Sequence, residues 1–71
     1  MSLSEEEIKK LKRYLIRTYN FNENDIKDVD IQEDTAVVKR YSALYDEIVT
    51  SNFRLTLNPK NKIVAVNGFK F

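Results

Sequence analysis

The chain contains no histidine, no cysteine and no tryptophan, and its only glycine is Gly68. Histidine titrates near neutrality, which makes it the commonest general base and metal ligand. Without it, no Ser-His-Asp or Cys-His relay can be assembled from one chain. Without cysteine there is no thiolate nucleophile, no disulfide and no Cys-rich zinc site. Glycine-rich phosphate loops need several glycines, because backbone must approach phosphate closely. Gly68 stands three residues from the end of the sequence, with no room for a following helix. Carboxylate chemistry, a lysine of lowered pKa or an all-oxygen cation site remains open. The expectation is a non-enzymatic chain with no cofactor and no metal.

The 71 residues read as one small domain, 1–71. A domain of this size buries only about 60% of its unfolded surface, so its stability margin is thin, and packing against a second copy is one remedy. Twelve basic and eleven acidic residues leave a net charge of +1, which gives no global pull towards nucleic acid or an acidic membrane. No apolar run approaches the roughly 18 residues of a membrane span, and no signal peptide is visible. The default expectation is a cytoplasmic protein with no membrane partner. Met1-Ser2-Leu3 has the look of a cloning remnant.

What is present is patterned. Ser4-Glu5-Glu6-Glu7 predicts a helix start, with Ser4 as cap, Glu7 completing a capping box, and three acids where the helix dipole favours them. Ile8, Leu11, Leu15 and Tyr19, joined by Tyr14 and Thr18, form one stripe on a helix of about 15 residues. Lys9, Lys10, Arg13 and Arg17 gather opposite, as a solvated basic face. Asn20 or Asn22 suits a left-handed helix exit, and Phe21 is expected to tuck under the sheet edge.

From Ile26 the period switches to two. Val29 and Ile31 alternate with Asp28, Asp30 and Gln32, and Glu33-Asp34 makes a turn. Residues 35–45 are rich in β-branched and aromatic side chains. Residues 48–58 alternate, with Val49, Ser51, Phe53, Leu55 and Leu57 on one side. Asn58-Pro59-Lys60-Asn61 is a turn in which Asn61 replaces glycine at positive φ. Residues 62–71 form a last strand, where Gly68 is expected to mark a bulge. Tyr41, Leu44, Tyr45, Ile48 and Val49 also fit a helical period; strand is preferred, because the flanking runs are strongly β.

The predicted fold is α+β: one N-terminal helix packed on a four-stranded antiparallel meander. Its inward set is Val29, Ile31, Ala36, Val38, Leu44, Val49, Phe53, Leu55, Leu57, Ile63, Ala65 and Phe69. The other face is expected to be half apolar, holding Val37, Tyr41, Ala43, Tyr45, Val64 and Val66 among Lys39, Thr50, Asn52, Arg54 and Thr56. Such a face invites a cover.

A helix followed by a curved meander that ends in "FRLTLNPKNKIVAVNGF" resembles cystatin-like and nuclear-transport-factor-2-like domains. These often end in a hairpin whose second strand begins with a Lys-Ile-Val run. The likeness spans about 20 residues by pattern and the rest by element order. It implies an α+β fold and a leaning towards dimers, and it transfers no residue role.

The functional expectation is a small protein-interaction domain that forms a homodimer, or meets another protein, through the outer sheet face. Its candidate residues are Val37, Lys39, Tyr41, Tyr45, Arg54, Val64 and Val66. The alternative is a single-stranded nucleic-acid binder on Lys39, Tyr41 and Arg54, since aromatic platforms flanked by cations bind bases by stacking and charge. A third reading is a ligand or enzymatic site between helix and sheet. The acids Glu23, Asp25, Asp28, Asp30, Glu33 and Asp34 lack calcium-loop spacing and its glycine. On an edge strand, Asp28 and Asp30 discourage aggregation. Asp46 and Glu47 read as a turn.

Overall fold

Ser4 caps the single α-helix, α1 (Glu5–Tyr19), by accepting the Glu7 N–H on Oγ at 3.3 Å. This computed structural model describes residues 3–71. The capping box is half formed, because the Glu7 carboxylate reaches across to the sheet and accepts the Ile63 N–H at 2.8 Å. The helix ends at Asn20, left-handed with φ 59° as its sequence position predicts.

A 3-10 turn, Glu23–Asp25, leads into five antiparallel strands: β1 (Ile26–Gln32), β2 (Thr35–Ser42), β3 (Glu47–Leu57), β4 (Ile63–Val66) and β5 (Phe69–Lys70). They lie side by side in chain order, a pure meander. The α+β class and the antiparallel sheet agree with the sequence; the count is five strands, not four. Among the described residues, no helix is long and apolar enough to cross a membrane.

Helix and sheet close on one apolar layer. Leu11 and Leu15 from α1 are fully buried with Val38, Ile63 and Val66, and Leu3, Tyr14, Ala36, Phe53 and Leu55 join them. Leu3 thus belongs to the core; Met1 and Ser2, the rest of the segment with the look of a cloning remnant, lie outside the described residues. An aromatic run seals the helix flank: Tyr14 stacks on Phe71 at 5.0 Å, and Tyr19 meets Phe53 at 5.3 Å and Phe21 at 5.7 Å. Leu11, Leu15, Phe53 and Leu55 fill the space where a ligand site between helix and sheet was one expectation.

The fifth strand exists because the last ten residues fold back on themselves. Asn67 (φ 52°) and Gly68 (φ 84°) form a two-residue turn, and Val66 pairs with Phe69 across it. Two consecutive left-handed residues give the twist that tight hairpins need. Gly68 is therefore a turn residue, not a bulge. The bulge lies earlier. Thr56 pairs with Ala65 but Leu57 pairs with Ile63, so Val64 is the extra residue. One extra residue reverses the parity of the strand beyond it. Val66 comes opposite Leu55 and is fully buried under the helix, contrary to its expected outer place. Ala65 is buried too, but opposite Thr56 and apart from the main core cluster.

Two further inward expectations fail at the sheet ends. β2 stops at Ser42 and β3 starts at Glu47, so residues 41–50 are strand, loop and strand rather than helix. Leu44 sits in the loop between them and is 84% exposed; Phe69 follows the last turn and is 69% exposed. Asn61 does take positive φ, 62°, and Asn58 Oδ1 holds the same turn by accepting the Lys60 and Lys62 N–H groups.

Candidate functional site

β3 is the longest strand, and its two halves have different neighbours. Residues 47–54 pair with β2, from Ser42 opposite Glu47 to Thr35 opposite Arg54. Residues 55–57 pair with β4 on the other side. The two partners are staggered, so the first half of β3, with β2 and then β1 on its other side, runs out beyond β4 as an arm of the sheet. The molecule accordingly measures 39 Å along its longest axis against 21 and 19 Å across.

The stagger leaves one side of the arm open. The Leu55 N–H bonds Asp34 O on the β2 side, whereas the Arg54 N–H and C=O face the β4 side, bonded to Asn67 Oδ1 and the Asn67 N–H. Antiparallel strands alternate these directions residue by residue, and the β2–β3 pairing has no bulge. Ile48, Thr50 and Asn52 therefore point their N–H and C=O groups away from β2, at a flank that no strand occupies among the described residues.

Nothing guards this flank. Ile48-Val49-Thr50-Ser51-Asn52-Phe53 carries no charge, no proline and no bulge. The other edges are defended in the ways proteins use to stop strand-to-strand association. β1 carries Lys27, Asp28 and Asp30 and has a register irregularity between Ile26 and Asp28. β5 is two residues long. Exposed apolar side chains collect at the open arm as well: Ile48 is 52% exposed, and Tyr45 in the loop is 68% exposed. Inside the loop, Asp46 (φ 53°) accepts the Tyr41 hydroxyl, which raises the Tyr41 phenol above its ordinary range, and Ser42 Oγ accepts the Tyr45 N–H.

The seven residues singled out in the sequence do not form one patch. Val37, Lys39 and Tyr41 on β2 and Arg54 on β3 share the outer face, among Thr50, Asn52 and Thr56. Lys39 stands between Asp28 and Thr50, so an acid from β1 faces it across the ladder. Tyr45 is in the arm's loop, Val64 is the bulge residue, and Val66 is core. The outer face is thus more polar than its expected parity implied. The open flank was missed in the sequence. Its available signal was six consecutive uncharged residues in the most regular strand.

A second feature lies at the base of the arm. Asn20, Phe21, Asn22, Asp25, Arg40 and Ser42 help line a cleft of about 160 Å³. The Arg40 guanidinium covers the Phe21 ring at 4.5 Å, and its buried Nε has no hydrogen-bond partner. The cleft is cationic on one wall and, through Asp25, anionic on another, which weakens it as a site for a simple anion. Elsewhere, no three acids come together as a metal site among the described residues.

Comparison with protein-family models, with curated proteins and with solved structures finds no match.

Proposed function

We propose that this chain is a small, non-enzymatic interaction domain that works by self-association, through the β2–β3 arm rather than the outer sheet face. The observation that carries the reading is the contrast among edges. β1 and β5 are charged, irregular or short, while the β3 flank is long, regular and uncharged, with Ile48 and Tyr45 exposed beside it. The thin stability margin of so short a chain points the same way, since a second copy adds buried surface without adding sequence. A face-to-face dimer has less in its favour, because Val66 is inside the core and the face is largely Thr, Asn, Lys and Arg. The nucleic-acid alternative keeps Lys39 and Arg54 but loses much of its platform: Asp28 faces Lys39, and the Tyr41 hydroxyl is taken by Asp46.

Sedimentation equilibrium at micromolar concentrations tests this reading. The wild-type chain is expected to show a monomer–dimer equilibrium. Thr50→Pro is expected to remain monomeric with an unchanged circular dichroism spectrum, because the Thr50 N–H faces the open flank and the β2 ladder does not use it. A wild-type chain that stays monomeric throughout, or a Thr50→Pro chain that dimerises as well as wild type, overturns the proposal.

A further inference from the structure

Resting on that reading, the structure assigns the geometry of the dimer: two β3 strands pair antiparallel about a two-fold axis that passes between Val49 of one copy and Val49 of the other. Three constraints lead to this register.

The first is hydrogen-bond direction. Only Ile48, Thr50 and Asn52 present backbone groups to the open flank, so they must meet one another and not the intervening residues. The axis therefore passes through Ile48, Val49 or Thr50, for pairing centres one residue apart.

The second is the end of the slot. Asn67 already occupies the place opposite Arg54 on that flank, bonded through its N–H to Arg54 O at 2.7 Å. An axis at Thr50 would bring Asp46 of the second copy opposite Arg54, onto Asn67. An axis at Val49 stops Asp46 opposite Asn52, which leaves one strand step clear, about 3.4 Å of rise per residue on either side of it. An axis at Ile48 also clears the turn, but gives up a pair at each end. Val49 is thus the longest register the fold admits. It sets Ile48 opposite Thr50 twice over, with about four new backbone hydrogen bonds.

The third is charge. In this register the Asp46 backbone comes diagonal to Arg54 of the second copy at roughly 7–8 Å, so the long Arg54 side chain has to reach a carboxylate that already accepts the Tyr41 hydroxyl. The symmetry supplies this pair twice. No like charges come opposite each other, since Glu47 meets Ser51. The loop with Leu44 and Tyr45 arrives end-on at the Asn67–Gly68 turn, beside exposed Phe69, so the apolar side chains left bare by the single chain are brought together. The interface is isologous and closes at two copies, which is how an unguarded edge avoids open-ended growth.

Absence of cysteine makes the test clean. Single variants Ile48→Cys, Val49→Cys and Thr50→Cys are oxidised with a mild glutathione couple, and disulfide-linked dimer is read by non-reducing electrophoresis. Residues that face each other across a non-hydrogen-bonded antiparallel pair have Cα atoms about 4.5 Å apart, inside the range a disulfide spans. Val49→Cys is expected to cross-link nearly completely, and several-fold more than either neighbour. Preferential cross-linking of Ile48→Cys or Thr50→Cys overturns the register while leaving self-association standing. No cross-linking in any variant, together with a wild-type chain that sediments as a dimer, overturns strand pairing through β3. A monomeric wild type overturns both the register and the reading it rests on.

Discussion

Leu15→Ala is expected to destabilise the chain by about 3 kcal/mol, measured by urea denaturation. Leu15 is fully buried between the helix and the sheet, in contact with the layer that Leu11, Val38, Ile63 and Val66 also form. Truncation removes the transfer energy of the lost methyl groups and leaves a void that the rigid sheet cannot close, so costs of about 2–5 kcal/mol are usual. A domain this small holds only about 4–10 kcal/mol in total. One truncation therefore removes about a third to three quarters of the margin and lowers the urea midpoint in the same proportion. The matched control is Leu44→Ala, at a side chain 84% exposed in the arm's loop, where about 0.5 kcal/mol or less is expected for the monomer. If the two variants cost the same, the helix–sheet layer is not the core.

Glu7→Met is expected to cost about 2 kcal/mol near neutral pH, for a different reason. The Glu7 carboxylate is buried and accepts the Ile63 N–H at 2.8 Å, with Lys10 Nζ at 3.4 Å. Methionine has nearly the same length but only a weak thioether acceptor, so the buried Ile63 N–H loses its carboxylate partner, which costs about 1–3 kcal/mol. This bond ties the first turn of α1 to the start of β4, next to the bulge that places Val66 inside. Its loss loosens both elements. The Ile63 hydrogen bond holds the Glu7 carboxyl below its ordinary pKa; burial opposes the shift, and Lys10 and Lys62 reinforce it. A depressed folded-state pKa means stability that is fully present above the unfolded value, about 4.3, and is lost as pH falls through the folded value. Denaturation midpoints of wild type and Glu7→Met should therefore be furthest apart near pH 7 and converge in acid, below the ordinary glutamate range. A gap that is constant with pH would show that the carboxylate's charge contributes nothing.

The sequence made legible those features that depend on local pattern. The stripe Ile8, Leu11, Leu15, Tyr19 and the Ser4 cap specify α1, and the left-handed asparagines Asn20 and Asn61 mark its exit and the β3–β4 turn. The errors have local causes too. Ile63, Val64, Ala65 and Val66 are all apolar, so alternation cannot show which of them is the extra residue, and the bulge at Val64 reverses the place of Val66. The turn was expected at Asp46 and Glu47, but β2 already ends at Ser42, so Leu44, set inside by the parity of Ala36 and Val38, falls in the loop. Asn67 and Gly68 do carry a hairpin signature, but the two-residue strand after them is too short for its own pattern to register.

The candidate site was illegible for a non-local reason. Whether a strand edge is open depends on the length and stagger of its neighbours, here four residues of β4 against eleven of β3. Composition shows that residues 48–53 are uncharged, but only the topology shows that, among the described residues, no strand lies on their flank. The same topology redistributes the residues expected on the outer face. The bulge takes Val66 from the outer face into the core and the end of β2 leaves Ala43 and Tyr45 in the loop, while Val37 and Tyr41 stay on that face beside Ile48.

Hydrogen exchange at single amides, followed as a function of protein concentration, tests the central claim most directly. The N–H groups of Val49, Ser51 and Phe53 point at β2 and should be protected at every concentration. Those of Ile48 and Thr50 point at the open flank. They are expected to exchange rapidly in dilute solution and to gain protection in step with dimer formation. If Ile48 and Thr50 stay unprotected at concentrations where the chain sediments as a dimer, or are protected when it is a monomer, the open β3 flank is not the working surface of this protein.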